Sequence, residues 1–348
     1  MKDRYRHFAT DVVQWQKQHG RNELPWQNTR DPYKVWLSEI MLQQTQVATV
    51  KAYFARFLQR FPDVASLAGG TEDEVLGLWS GLGYYSRARN LHRCAQQVVA
   101  LHAGAFPRDA LTLATLPGIG RSTASAISSM CFGERVAILD ANVKRVVTRV
   151  CGYDADLAVS AHEKTLWQLA TDLIPAEGAS LDTMARYTQG MMDLGAGVCS
   201  PQKPQCLLCP VASVCVARER GDPQRYPVRT RKLKRSSQSI WLLWARNAEG
   251  AVWLSRRPVP GVWAGLYCLP LFESDEALLA ALPPKVQPSA QYEEPFVHVL
   301  THKDLHLHPV RVDVADAAWD LDDGRWVGAQ EWPALGLPAP VRKLLERG

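Results

Sequence analysis

The chain has 348 residues, 47% of them hydrophobic and twelve of them Trp, a length that predicts two domains with substantial cores. No apolar run approaches the ~20 residues needed to span a bilayer, and the charged start (MKDRYRHFATD) lacks the apolar region of a signal peptide. These features exclude a membrane protein and predict a cytoplasmic one. The net charge is +5, and residues 218–235 alone contribute +6 through Arg218, Arg220, Arg225, Arg229, Arg231, Lys232, Lys234 and Arg235 against Glu219 and Asp222. Such a segment is either a solvated linker or a strap that contacts phosphates, and the two roles are compatible.

In chain order, residues 1–217 read as helical. Asp31-Pro32 is a strong helix start, because Asp caps the first turn and Pro at the first position loses no needed N–H. Apolar residues from Trp36 to Phe61 then recur at helical spacing, broken by Gln43-Gln44-Thr45-Gln46. Helices are also predicted over 72–79, 85–102, 122–132, 143–150 and 162–173, with Gly/Pro punctuation between most of them. Beyond the basic segment the texture changes. Gln238–Ala245 and Ala251–Arg256 flank a turn at 247–250 and predict a β-hairpin. A helix over 273–282 and strands at 296–300 and 305–314 complete an α+β domain. The expected organisation is a helical domain over 1–217, a basic linker over 218–236, and a second domain over 237–348.

Four of the eight cysteines follow the spacing Cys199-x6-Cys206-x2-Cys209-x5-Cys215. The Pro-bearing and short loops between them let the sulfurs converge. Four thiolates suit structural zinc or a [4Fe–4S] cluster, and spacing alone leaves the choice open. Cys94, Cys131, Cys151 and Cys268 are scattered and read as small buried side chains.

Leu116-Pro117-Gly118-Ile119-Gly120 precedes Arg121-Ser122 and an Ala/Ser-rich helix. The glycines permit a tight turn and a close approach, and the helix amides behind them favour an anion. An ordinary helix–helix turn would look similar. Glu39 lies in the apolar run Trp36–Leu42, where burial would raise its pKa into the range of a general acid; a surface ion pair is the alternative. Asp140 follows apolar Ile138 and Leu139 and could simply cap the next helix.

Together these features resemble the endonuclease III superfamily of helix-hairpin-helix base-excision glycosylases. Within it, the chain is similar to the MutY-type adenine DNA glycosylases along nearly its whole length. The residues that carry the likeness are Leu24-Pro25-Trp26, Trp36-Leu37-Ser38-Glu39, Met41–Val47, Gly81-Leu82-Gly83-Tyr84-Tyr85, the hairpin, Leu139-Asp140, Asn142–Arg145, Met192–Gly195 and the four cysteines. The resemblance implies a monofunctional enzyme that hydrolyses the N-glycosidic bond of adenine mispaired with 8-oxoguanine or guanine. It implies one [4Fe–4S] cluster on Cys199, Cys206, Cys209 and Cys215.

It further implies that Glu39 protonates adenine and later activates water, that Asp140 stabilises the developing oxocarbenium charge, and that Asn142 helps to position the groups. Trp26, Leu42 and Val47 would shape the adenine pocket. Gln43, Gln44, Thr45, Tyr84, Leu116, Gly118, Gly120, Ser122, Lys144 and Lys203 would lie along the DNA, with Gln44 and Tyr84 wedged into the duplex. Ser122 stands where bifunctional relatives carry a catalytic Lys, which argues against an obligatory lyase step.

The region after residue 237 resembles a MutT-like (Nudix fold) domain, but 271–284 lacks the Glu/Arg helix that holds magnesium in a hydrolase. A recognition module for 8-oxoguanine is therefore expected. Thr301 and His302 would read the lesion from Leu300-Thr301-His302, which departs from the usual Phe-Ser-His. His298, His302, His306 and His308 fit strand alternation better than a metal cluster. The partner implied is double-stranded DNA, bound by a monomer. Two rival readings are an endonuclease III-like glycosylase/lyase acting on oxidised pyrimidines and a non-enzymatic iron–sulfur DNA-binding protein.

Overall fold

The computed structural model describes residues 3–230, 234–314, 319, 321 and 323–347. The N-terminal elements are α1 (Phe8–His19), α2 (Pro32–Leu42), α3 (Val47–Arg60), α4 (Val64–Gly69), α5 (Glu72–Trp79), α6 (Ser86–His102), α7 (Ala110–Leu113), α8 (Arg121–Ile127), α9 (Ala141–Cys151), α10 (Ser160–Asp172), α11 (Leu181–Ala196) and α12 (Val216–Glu219). Strands β1 (Ser236–Asn247), β2 (Val252–Arg256), β3 (Tyr267–Cys268) and β4 (Leu271–Phe272) come next, then α13 (Asp275–Ala281). The chain ends with β5 (Gln291–Tyr292), β6 (Phe296–Val299), β7 (Lys303–Val314), β8 (Gly324–Val327) and α14 (Ala339–Leu345). No helix among the described residues is long and apolar enough to cross a membrane.

The backbone partitions into two compact units: Met1–Ala68 with Arg93–Lys232, and Gly69–His92 with Leu233–Gly348. This differs from the contiguous division expected at 217 and 237, because α5 and the first part of α6 group with the C-terminal sheet. The reason is local bonding within that unit. The Ser80 hydroxyl and the Tyr85 phenol both donate to the Leu337 carbonyl, at 2.9 and 3.0 Å, and Arg342 donates to Ser80 at 3.0 Å.

In the first unit, the start of α2 follows the sequence rule. Asp31 accepts the Tyr33 N–H at 3.0 Å and Pro32 occupies the first turn. The apolar stripe of α2 buries Trp36, Leu37 and Met41 completely, and Trp36 packs on Phe106 at 5.1 Å between ring centroids. The polar break separates α2 from α3 as expected, with Gln44 at φ +56°. The predicted 122–132 helix is α8 continued by one π-helical turn, Ser128–Phe132, which ends at Gly133.

Among the described residues of the second unit, eight strands form one sheet in the order β3-β2-β1-β7-β5, with β4 on β1, β6 on β7 and β8 on β2. The predicted hairpin is present as β1–β2, pairing Arg246 with Val252. Strands β1 and β7 run parallel from Ser236↔Lys303 to Asn247↔Val314, a long-range pairing that periodicity cannot announce. Leu278 and Leu282 pack on Leu243, Val310 and Val312 across the sheet. Phe296–Val299 and Lys303–Val314 make the β6–β7 hairpin, which places Leu300-Thr301-His302 at its tip.

The basic segment is less free than its composition implies. Arg220 donates to the Tyr226 phenol at 2.8 Å, Arg218 to the Ala212 carbonyl at 3.1 Å, Arg225 pairs with Asp154 at 3.5 Å, and Arg235 pairs with Asp304. Arg229 and Lys234 are exposed, while Arg231 and Lys232 lie outside the described residues. Cys94, Cys131 and Cys268 are buried, as expected for structural thiols, and Cys151 is partly so.

Candidate functional site

A cavity of about 770 Å³ in the first unit gathers Trp26, Glu39, Leu42, the stretch from Gln43 to Val47, Ser122, Asp140 and Asn142. That volume falls in the range of small-ligand sites. Three local structures bring these residues together. Helix α2 carries Glu39 within its apolar run. The α2–α3 break supplies one rim. An extended segment, 137–140, delivers Asp140 to the N-terminus of α9.

Glu39 is held in apolar surroundings, and burial pushes its carboxyl up to about 7, with the charge of Asp140 adding to the effect. Asp140 is the N-cap of α9, accepting the Val143 N–H at 2.7 Å. Burial raises its pKa, opposed by the N–H groups of Val143 and Asn142 and by the Arg145 charge. The capping role and a place in the cavity are therefore the same fact. One carboxyl of the pair is tuned to hold a proton near neutrality, while the other is bonded by donors that favour its ionised form.

Ser122 is not a free hydroxyl facing the cavity. Its oxygen accepts the Leu139 N–H at 3.0 Å, fixing the extended segment one residue before Asp140. Lys144 is ion-paired with Glu163 at 2.7 Å, outside the residues lining the cavity. Asn142 accepts from Arg145 at 2.8 Å. Gly195 of α11 makes room for it: a Cβ there would lie 2.7 Å from the Asn142 Cβ and 2.8 Å from its carbonyl oxygen. The approach of α9 to α11 thus requires glycine at 195.

Several lining residues were not legible as site residues in the sequence. Arg21 and Gln189 both face the cavity and both donate to Asp193, at 2.8 and 3.1 Å. Asp193 is 3% exposed and pairs with Arg21 at 2.7 Å, a buried anion held by donors from two sides. The Met192–Gly195 stretch was visible as a motif, but nothing in it announced this role.

The remaining residues lie elsewhere. Leu116 is buried, and its carbonyl accepts the Ile119 N–H at 3.2 Å to close the hairpin turn, with Gly118 at φ +76° and Gly120 capping α8. Lys203 is exposed. In the second unit, Tyr84 is exposed at φ +48° and its phenol hydrogen-bonds the Thr301 hydroxyl. Thr301 and His302 are exposed at the hairpin tip. His308 stacks on Trp241 at 4.4 Å, within the strand register.

Cys199, Cys206, Cys209 and Cys215 line one pocket with Val146, Val150, Leu194 and Val211. Among the described residues, no three His, Cys, Asp or Glu are disposed as a ligand set. The donor chemistry nonetheless fits a thiophilic centre: four sulfurs, an apolar wall, and cationic Arg149 and Arg218 beside them. Arg149 is the organiser. It donates to the Cys199 sulfur at 3.3 Å and to the carbonyls of Ser200, Pro201 and Pro223 at 2.7, 2.9 and 2.7 Å. Arg145, one turn earlier, donates to the Cys199 carbonyl at 2.7 Å as well as to Asn142.

Comparison with known proteins accords with this arrangement. Residues 37–171 match the family described as HhH-GPD superfamily base excision DNA repair protein, and 241–347 match the NUDIX domain. An adenine DNA glycosylase of Buchnera aphidicola subsp. Acyrthosiphon pisum is 35% identical over 344 residues, 97% of each chain. The human adenine DNA glycosylase is 42% identical over 228 residues, 63% of this chain and 40% of that one. Among solved structures, a thermostable thymine-DNA glycosylase is 28% identical with a TM-score of 0.55, covering 63% of this chain and 98% of that one. An endonuclease III in a non-covalent DNA complex shares the fold at 21% identity and a TM-score of 0.51, covering 64% of this chain and 98% of that one. Likeness sustained across both units, and at both ends of the Buchnera relative, means that this chain belongs to the adenine DNA glycosylase family.

Proposed function

We propose that this protein removes adenine from adenine:8-oxoguanine and adenine:guanine mispairs in double-stranded DNA by hydrolysing the N-glycosidic bond. The observation that carries the reading is Glu39, a carboxyl raised to about 7 that shares one cavity with capped Asp140. Near neutral pH a fraction of Glu39 is protonated and able to pass its proton to a ring nitrogen of the flipped adenine, which makes the base a better leaving group. General acid help of this kind is worth about 10²–10⁴ in rate. As the bond breaks, positive charge grows on the sugar, and the ionised Asp140 stabilises it. Glu39, now a carboxylate, takes a proton from water as water adds to the sugar. Asn142, held by Arg145, fixes the groups around Asp140.

Trp26, Leu42 and Val47 form the apolar part of the base pocket. Extrusion costs a few kcal/mol and is cheapest at a mispair, which favours the mispaired adenine. Gln43, Gln44 and Thr45 border the cavity and are assigned to the DNA, as are the Leu116–Gly120 hairpin, Lys144 and Lys203. Tyr84, Thr301 and His302 are assigned to the opposite, lesion-bearing strand. Position 122 carries a hydroxyl rather than an amine, and Lys144 is ion-paired with Glu163, which supports hydrolysis over a lyase step. Cys199, Cys206, Cys209 and Cys215 would hold one [4Fe–4S] cluster, whose contribution is to fix the fold of the 199–215 loop that presents Lys203. The protein is read as cytoplasmic and monomeric, with 218–236 as the connection between its two parts.

The test is adenine release from duplexes bearing each mispair. Wild-type protein is expected to release adenine without cleaving the strand, and Glu39→Gln to release none. Undiminished release by Glu39→Gln would refute the mechanism.

A further inference from the structure

Tyr84 is an exposed aromatic in a left-handed conformation that non-glycine residues rarely adopt, so something must hold it there. The residue that does so lies three positions on. Arg87, in the first turn of α6, is 9% exposed. Its guanidinium folds back to donate to the carbonyls of Leu82 and Gly83, at 3.3 and 3.1 Å. The same Gly83 carbonyl also accepts the Trp79 indole N–H at 3.2 Å. The guanidinium carbon then lies 5.5 Å from the Tyr84 ring centroid and 5.3 Å from that of Trp79, within the range of a cation–π contact with each. At its far end the Tyr84 ring is fixed by the hydrogen bond between its phenol and the Thr301 hydroxyl.

We infer that Arg87 is a positioning residue for lesion discrimination, holding Tyr84 and through it the Thr301 hydroxyl in the geometry that meets the strand opposite the excised adenine. The inference rests on the function proposed above. Three features distinguish this from an ordinary structural arginine. One terminal nitrogen of the guanidinium binds two successive carbonyls of the turn that presents Tyr84 while the planar group lies over the rings of Tyr84 and Trp79, a combination that a Lys ammonium, with no planar face, cannot duplicate. The guanidinium is buried, so it offers its charge to the turn and the ring rather than to a phosphate. The side chain it positions is exposed and makes its described polar contact with a residue at the β6–β7 tip. A wedge ordered before DNA arrives loses less freedom on insertion, which converts local order into preference for the correct partner strand. A base-discriminating hydroxyl likewise works best when one of its hydrogen bonds is already assigned.

The experiment uses the full chain as purified and measures dissociation constants and single-turnover adenine release for adenine:8-oxoguanine and adenine:guanine duplexes. Arg87→Lys is expected to lower the preference for 8-oxoguanine over guanine by about tenfold, the worth of one charge-assisted hydrogen bond, and to add nothing in a Tyr84→Ala background. Equal losses on both mispairs, or a full effect of Arg87→Lys without the Tyr84 ring, would overturn the inference. Should Arg87→Lys lower the melting temperature, Tyr84→Phe and Thr301→Val provide the second arm. Their effects on preference are expected to be non-additive; additive effects would sever the Arg87–Tyr84–Thr301 chain. If wild-type protein releases adenine from neither duplex, the proposed function fails, and the binding preferences still decide the role of Arg87.

Discussion

At the scale of single residues, the chemistry depends on where a carboxyl is denied water. Glu39 is an ordinary glutamate set among buried Val35, Trp36, Leu37, Ile40 and Met41 in α2, and burial is the main cause of its raised pKa. Two expectations follow. Adenine release should fall as pH rises through about 7, because the acid form of Glu39 is lost, and should also fall at low pH as Asp140 is protonated. A single-turnover pH profile checks both limbs. Stability carries the same sign. A group raised from 4.5 to about 7 in the folded state favours folding below its unfolded pKa, and that contribution is lost as pH rises through the folded value. Glu39→Gln should therefore match wild type in stability near pH 4 and exceed it by roughly 3 kcal/mol at pH 8, at about 1.4 kcal/mol per unit, measured by urea unfolding at both pH values. Ser122→Ala should remove the acceptor of the Leu139 N–H, costing about 1–3 kcal/mol and slowing adenine release by loosening the approach to Asp140. Unchanged release and an unchanged unfolding midpoint would show that the tether is dispensable.

At the scale of elements, α9 connects two places the sequence shows only separately. Its N-terminus holds Asp140 and Asn142, its second turn sends Arg145 to Cys199, and its buried Arg149 gathers the carbonyls of the cysteine loop. Replacing Arg149 by Met leaves those carbonyls without their donor inside the protein. A loss of at least about 3 kcal/mol is expected, as for a broken buried charged network, together with iron bound below that of wild type as purified. Full iron retention and unchanged stability would show that the loop closes without it. The hairpin at 116–120, by contrast, is built by local rules. Leu116 anchors the turn in the core, leaving the amides at the start of α8 as its outward feature.

At the scale of the whole molecule, charge is concentrated where the chain leaves the helical unit. Of the eight cations in 218–235, Arg218, Arg220, Arg225 and Arg235 have partners within the protein. Phosphate contact is proposed for exposed Arg229 and Lys234 and, on their charge in the sequence alone, for Arg231 and Lys232, which lie outside the described residues. Neutralising these four should flatten the dependence of DNA affinity on salt by up to about four contacts' worth of slope, whereas neutralising the internally paired arginines should change it little. A slope unchanged by the first set would reduce the segment to a linker.

The sequence by itself determined most of the helical elements and the β1–β2 hairpin, because caps, Gly/Pro punctuation and apolar periodicity are local; Trp26, Glu39, Asp140 and Asn142 were named together only through the family resemblance, since local pattern left Glu39 open as a surface ion pair and Asp140 as a simple cap. The four cysteines were equally plain as a metal-type motif. Only tertiary structure decided that α5 and the turn bearing Tyr84 group with the C-terminal sheet, that β1 and β7 pair in parallel, and that Ser122 and Lys144 are already engaged. It also brought Arg21 from the start of the helical unit to Gln189 and Asp193 on α11. The physical reason is that these contacts join different elements, several of them far apart in the chain, and no local pattern encodes which donor will meet which buried acceptor.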